Sequence, residues 1–295
     1  MYSVYLQMNN VFITGATGLI GGAVLHDLLE TPSMYKYEIT AQIRTQNKAD
    51  NKQNKTLLVH TSGTSILQYD LSSTNGPPTK CYGNSSNLDE IVKLPATQPH
   101  KPVDDVVLRI QAQSPELVRT AIICSSTIYG VSKGYDKINS VQIPWLVKST
   151  IKAGQPVTVY SGDYNWLHVH VDDLAIIYHK ITKSLLDGSS NAPSGDKGYY
   201  FAQAGNLPNW RQVAVYIVEQ LVDKGLIFNK TIKELEPASL IDINEGFEFA
   251  PYFWGINSVC KAENAFKLSW QPAHISDEEF YKDIDQDIDY ILSQK

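Results

Sequence analysis

One stretch of eight residues constrains this chain more than any other. Thr14-Gly15-Ala16-Thr17-Gly18-Leu19-Ile20-Gly21 follows a short apolar run, Val11-Phe12-Ile13, and opens a segment to Glu30 whose apolar residues recur at helical spacing. Glycines at those three places, between a strand and a helix, answer separate physical needs. Gly15 permits the tight turn, Gly18 lets the backbone approach a pyrophosphate, and Gly21 lets the helix pack closely on the strand. The helix N-terminus adds free N–H groups and a partial positive charge. The pattern predicts a loop that holds dinucleotide phosphates through Thr14, Gly15, Thr17, Gly18, Leu19, Ile20 and Gly21. Thr31-Pro32 stops the helix, because proline cannot continue it, and Glu38 to Ile43 reads as the next strand. The residues after that strand choose the cofactor: an acid bonds the ribose 2′-OH of NAD, an Arg suits the 2′-phosphate of NADP. Here they are Arg44 and Thr45, with no acid before Asp50, which favours NADP and leaves NAD as the alternative.

The rest of the chain keeps alternating. Strands are expected at 57–60, 119–124, 157–160 and 199–203, and helices at 88–94, 103–112, 143–153, 172–187, 208–224 and 276–293. Strands alternating with helices imply an α/β fold, a Rossmann-like parallel sheet covered on both faces. The expected division is a dinucleotide-binding part over 8–140 and a small C-terminal α/β substrate subdomain over 141–295, interleaved with the last sheet elements. Residues 45–55 carry one apolar side chain, Ala49, and read as a linker; 68–100 is a long polar loop, functional or poorly ordered.

Composition excludes several classes. The charge balance is 25 Lys+Arg against 31 Asp+Glu, a net −6, which argues against a nucleic-acid binder that works by bulk positive charge. Hydrophobic residues make up 43%, too many for a disordered chain. No apolar run approaches the roughly 18 residues of a membrane span. Cys81, Cys124 and Cys260 are too scattered for a disulfide framework or a zinc knuckle, and Met1 to Asn10 holds no Lys or Arg, so no secretory leader is expected. A cytoplasmic protein is the simplest expectation. The Asn-x-Ser/Thr sequons at Asn54, Asn84 and Asn229 read as chance.

Four motifs in order along the chain resemble one family. Thr14 to Gly21 is similar to the cofactor loop of the extended and atypical short-chain dehydrogenase/reductases, which include the NAD-dependent epimerase/dehydratases and the NmrA-like proteins. Ala-Ile-Ile-Cys-Ser-Ser-Thr-Ile-Tyr-Gly at 121–130 resembles the sixth strand and Tyr-Gly turn. Trp-Leu-His-Val-His-Val-Asp-Asp-Leu-Ala at 166–175 resembles the Val-Asp-Asp-Leu-Ala signature, and Leu-Ser-Trp-Gln-Pro at 268–272 the C-terminal Leu-Gly-Trp-x-Pro. In Val-Asp-Asp, Asp172 is expected to N-cap the following helix and Asp173 to sit in its first turn. His168 and His170, two apart on a strand, would share a side with Asp172, but the family motif explains that spacing and no metal is expected.

The resemblance breaks in two places. The family's acid/base is the Tyr of Tyr-x-x-x-Lys, whose Lys lowers the tyrosine pKa and holds the ribose. Of 17 tyrosines, Tyr129 alone has a lysine four residues on, Lys133, and it lies in the Tyr-Gly turn. Where the catalytic helix should begin stand His100 in the tyrosine's place and Asp104 in the lysine's. The resemblance thereby makes His100 the proton donor, with Thr61, Ser62 and Thr64 near the family's substrate-polarising hydroxyl; Ser62 and Thr64 are the candidates carried forward. Second, the family has two further strand–helix units before the strand at Leu57. About 60 residues, at roughly 30 per unit, are absent between Arg44 and Leu57, including the strand that lies beside the first in the order 3-2-1-4-5-6. Either the strand at Leu57 closes up beside the first, or the domain is damaged.

Three functions remain open: an NAD(P)-dependent oxidoreductase of epimerase/dehydratase type acting on a small carbonyl or hydroxyl substrate, a non-catalytic NADP-binding sensor like the NmrA-type regulators, and an inactive truncated relative. Tyr129, Trp166, Tyr252 and Trp254 are the candidate pocket aromatics. A homodimer formed through the helix after the long loop is what the resemblance implies for assembly.

Overall fold

The computed structural model describes residues 10–42, 56–68, 80–205 and 208–294. In chain order the elements are β1 (Asn10–Thr14), α1 (Leu19–Glu30), β2 (Glu38–Gln42), β3 (Thr56–Gly63), β4 (Cys81–Gly83), α2 (Leu88–Val92), α3 (Lys101–Gln113), β5 (Val118–Ser125), β6 (Thr127–Tyr129), α4 (Gln142–Ala153), β7 (Val157–Val159), β8 (His168–His170), α5 (Val171–Leu186), β9 (Tyr199–Ala202), α6 (Trp210–Asp223), β10 (Lys233–Leu235), α7 (Pro237–Ile243), α8 (Ala250–Trp254), β11 (Val259–Lys261), α9 (Glu263–Lys267) and α10 (Asp277–Ser293). Every strand pairing among the described residues is parallel. The fold is Rossmann-like α/β.

Period-two alternation decides which helices cover which side of the sheet. On β5, Ala121 and Ile123 face α1 and α5, where they pack with Ala23, Val24, Leu28, Leu174, Ile177 and Ile181. Ile122 and Cys124 face the other way, with Val107 of α3 and with Tyr199 and Phe201 of β9. A third cluster unites α4, α6 and α10 around Val157 and Val159 of β7. Tyr129 of β6 belongs to this third cluster, while α5 and β9, which come later in sequence, return to the sheet.

The sheet is interrupted. β1 pairs with β2, and β3 with β5 and then β9, but among the described residues no strand joins the two groups. Burial shows the consequence. β5 is buried from Thr120 to Ser125, whereas β3 is mostly half-buried and its Thr61 is exposed. Phe12, in the strand that should be most central, is 62% exposed. Of the two outcomes expected for β3, closing up beside β1 is not the one adopted.

The described part of the long polar loop, from residue 80 onward, is more structured than its composition suggested. Cys81–Gly83 forms a parallel ladder with Val259–Lys261, and Asn84, fully buried, donates through Nδ2 to Tyr199 O at 2.9 Å.

α10 carries the fold's clearest pH dependence. Asp287 is 1% exposed, and Ser140 Oγ donates to its Oδ2 at 3.1 Å. Burial, opposed by that hydrogen bond and reinforced by Asp283, pushes its carboxyl up to about 7. An unfolded Asp titrates near 4, so the folded state holds the extra proton between these values, and the group's favourable contribution is lost as pH rises from about 4 to about 7. Asp287→Asn should melt close to wild type near pH 4 and well above it at pH 8. Parallel melting-temperature curves across that range would contradict the assignment.

Candidate functional site

The glycine loop has the geometry its residues imply. Gly15 adopts φ +71°, and Gly18 N–H donates to Gly15 O at 2.8 Å. A Cβ on Gly21 would stand 2.2 Å from Gly15 O and 2.7 Å from Gly15 C, so only glycine lets α1 lie against the turn. Gly18 caps α1 without a side-chain hydrogen bond, and the first turn holds no acid. The leading N–H groups, from Leu19, Ile20 and Gly21, are thus left for an external anion. The segment after β6 closes over this loop: Lys137 N–H donates to Thr17 O at 3.1 Å and Ser132 Oγ to Leu19 O at 3.2 Å. These residues fit a dinucleotide's phosphates. Arg44 lies outside the described residues.

A second polar group sits at the carboxyl end of β3, the end of a parallel sheet where α/β folds bind ligands. Leu58, His60 and Ser62 alternate toward α3. Asp104, one turn into that helix, is fully buried. Ser62 Oγ donates to Asp104 Oδ2 at 3.0 Å. The other oxygen, Oδ1, has His60 Nε2 at 3.4 Å, close enough for charge attraction but without hydrogen-bond alignment. His100 precedes α3 at φ +66°. It is exposed as a residue, yet its ring tip reaches inward: a Cβ on Gly63 would stand 2.8 Å from His100 Nε2. Burial of that tip lowers the imidazole pKa, with Asp104 opposing and His60 adding to the shift. Tyr199 and Cys124 complete the wall; burial, then the Asp104 charge, pushes both upward, so they remain neutral.

Ser62 and His100 are therefore brought around one buried carboxylate. Thr64 is not part of that arrangement: it is fully buried, and its hydroxyl accepts from Trp166 Nε1 at 3.1 Å. Sequence reasoning missed His60. Its signal was the two-residue spacing to Ser62 opposite Asp104, four residues after His100.

Other expectations resolve into structure. Tyr129 donates to His274 O at 3.1 Å, and Lys133 pairs with Asp172 at 2.6 Å, so they serve separate contacts. Trp166 and Trp254 are core side chains at 7% and 1% exposure; of the candidate pocket aromatics, Tyr252 is exposed. The expected N-cap is corrected: His170, not Asp172, caps α5, its Nδ1 accepting from Asp172 N–H at 3.2 Å. Burial, then the nearby His274, lowers the His170 pKa to about 4, which keeps that nitrogen an acceptor. His168 is packed among Tyr129, Trp210 and Phe280, and burial lowers it to about 3. His170, Asp172 and His274 bring donor atoms within 4.8 Å. The two imidazoles are stacked at 3.8 Å and 27°, so their in-plane lone pairs run side by side instead of converging.

No protein-family model matches the chain. A curated relative, the oxidase ucsJ of an Acremonium species, is 26% identical over 229 residues, covering 73% of this chain and 64% of its own length. The match thus spans less than two thirds of that relative. Among solved structures, MoeE5 in complex with UDP-glucuronic acid and NAD aligns with a TM-score of 0.60 at 13% identity, covering 97% of this chain and all of the other. The UDP-glucose 4-epimerase of Thermotoga maritima aligns at 0.56 and 11% identity, over 97% of this chain and 99% of its own. The human epimerase family protein SDR39U1 (isoform 2) with NADPH aligns at 0.55 and 11% identity, over 95% and 99%. At these identities the likeness is one of fold. No helix among the described residues is long and apolar enough to cross a membrane.

Proposed function

We propose, from a chain that has the fold of the NAD-dependent epimerases and related short-chain dehydrogenase/reductases, that it is an NAD(P)-binding oxidoreductase acting on a small carbonyl or hydroxyl substrate. The observation that carries this reading is the glycine cradle: a turn closed so tightly that Gly21 admits no side chain, beneath an uncapped helix N-terminus. Thr14, Gly15, Thr17, Gly18, Leu19, Ile20 and Gly21 would hold the pyrophosphate, and Arg44 favours NADP over NAD. A nicotinamide cofactor held there supplies hydride transfer to or from a substrate carbon. The chain's own contribution is a proton-handling imidazole, in the absence of Tyr-x-x-x-Lys at the start of α3, together with the Ser62 hydroxyl fixed by Asp104. His100 is the imidazole the family resemblance points to.

The half-exposed β3 and the exposed Phe12 support the absence of two strand–helix units between Arg44 and Leu57. That absence, with no Tyr-x-x-x-Lys at the start of α3, favours a second reading, an NADP-binding sensor that performs no chemistry. Purified protein incubated with NADPH and a panel of aldehydes and ketones separates the two. Oxidation of NADPH that depends on the carbonyl supports the enzyme; binding without turnover supports the sensor.

A further inference from the structure

We propose that His60, facing the buried carboxylate of Asp104, is the imidazole that takes and returns the proton at this site, with Asp104 as its positioning residue. The inference rests on the oxidoreductase reading and deepens it.

Three observations lead there. First, Asp104 has no exposed surface, and among the described residues its ion-pair partner is His60. The nearest lysine on its own helix, Lys101, is buried and pairs with Asp105 instead. A carboxylate withdrawn from water without a Lys or Arg partner is costly, and an apolar side chain there would serve the core better. A charge kept at such a cost, aimed at an imidazole beside a ligand-binding sheet end, is what acid–base sites are built from. Second, both carboxylate oxygens point at one strand. Oδ2 receives Ser62 and Oδ1 faces His60 Nε2, which leaves Nδ1 as the ring nitrogen not turned to the carboxylate. Third, that ring is reachable: the His60 side chain is 24% exposed on the strand that lacks an outer neighbour among the described residues. His100 feels the Asp104 charge only at a distance that gives no ion pair. It makes no ion pair among the described contacts, its backbone is left-handed, and its Nε2 is turned against Gly63.

In the oxidative direction His60 Nδ1 would take the proton of a substrate hydroxyl, breaking its O–H bond as the C=O bond forms, while the hydride of the broken C–H bond would go to an oxidised nicotinamide held at the glycine cradle. The imidazolium formed would be stabilised against the Asp104 carboxylate. Reduction of a carbonyl runs the same steps in reverse.

Long-range proton–nitrogen NMR of the cofactor-free protein reads the geometry without any turnover. Neutral His60 should carry its proton on Nε2 in wild type and in Ser62→Ala, and lose that preference in Asp104→Asn. An Nδ1–H tautomer in wild type, or one indifferent to Asp104, would overturn the proposal. With a carbonyl substrate that turns over, His60→Gln should lower kcat by about 100-fold or more, with KM and NADPH affinity changed less than about threefold, and should exceed the loss in His100→Gln. The reverse ranking would overturn it. A wild-type protein that binds NADPH and turns nothing over would remove the oxidoreductase reading, and the catalytic role with it, while the tautomer measurement still reports whether the pair exists.

Discussion

Gly21→Ala is expected to abolish cofactor binding. The added Cβ would sit 2.2 Å from Gly15 O, inside any real contact distance, and neither partner is a flexible side-chain end. Backbone must move, either α1 away from β1 or the Gly15 turn out of its left-handed geometry. Either shift separates the Leu19, Ile20 and Gly21 N–H groups from the phosphate position they jointly define. A loss of about 100-fold or more in NADPH affinity follows, roughly 2.7 kcal/mol, measured by calorimetric titration on protein shown by circular dichroism to be folded. Affinity within about threefold of wild type would mean that the phosphates bind elsewhere.

Asp173→Ala is expected to give the largest stability loss. Asp173 is 1% exposed, and its carboxylate accepts from Ala273 N–H at 2.8 Å and His274 N–H at 2.9 Å. Its backbone oxygen accepts from the buried Trp270 Nε1 at 3.0 Å. The residue thus ties the 270–274 segment to the start of α5. Removing the carboxylate strands two donors at a part-buried site, a cost of about 3 kcal/mol, and the melting temperature should fall by roughly 5 °C. A fall of less than about 2 °C would show that water replaces the carboxylate without loss.

What the sequence made legible is local. The glycine loop could be read because strand, turn and helix are consecutive and each glycine has a geometric reason. Leu-Ser-Trp-Gln-Pro was legible as a motif, and the structure adds that Ser269 adopts φ +57°, the conformation that glycine takes without steric cost. What stayed hidden depends on partners distant in sequence. β4 and β11 are three residues each and are defined by one another across the chain. Asp172 was expected to cap α5 because aspartate usually does; His170 caps it because burial holds that imidazole neutral and leaves Nδ1 free to accept. His60 escaped notice because its meaning lies in Asp104, 44 residues on and on another element. Trp166 drew attention as a pocket aromatic, but its indole is satisfied by Thr64 inside the core.

The interrupted sheet makes cofactor binding the central question. The cradle is intact, while β1 and β3 share no hydrogen-bonded ladder and the strand that would lie between them accounts for part of the cofactor's usual wall. The most direct measurement is calorimetric titration of the purified protein with NADPH and, separately, NADH. The account predicts one saturable site for NADPH, with a dissociation constant on the order of 1–100 µM, and weaker binding of NADH. Folded protein that gives no binding heat with either nucleotide would contradict it.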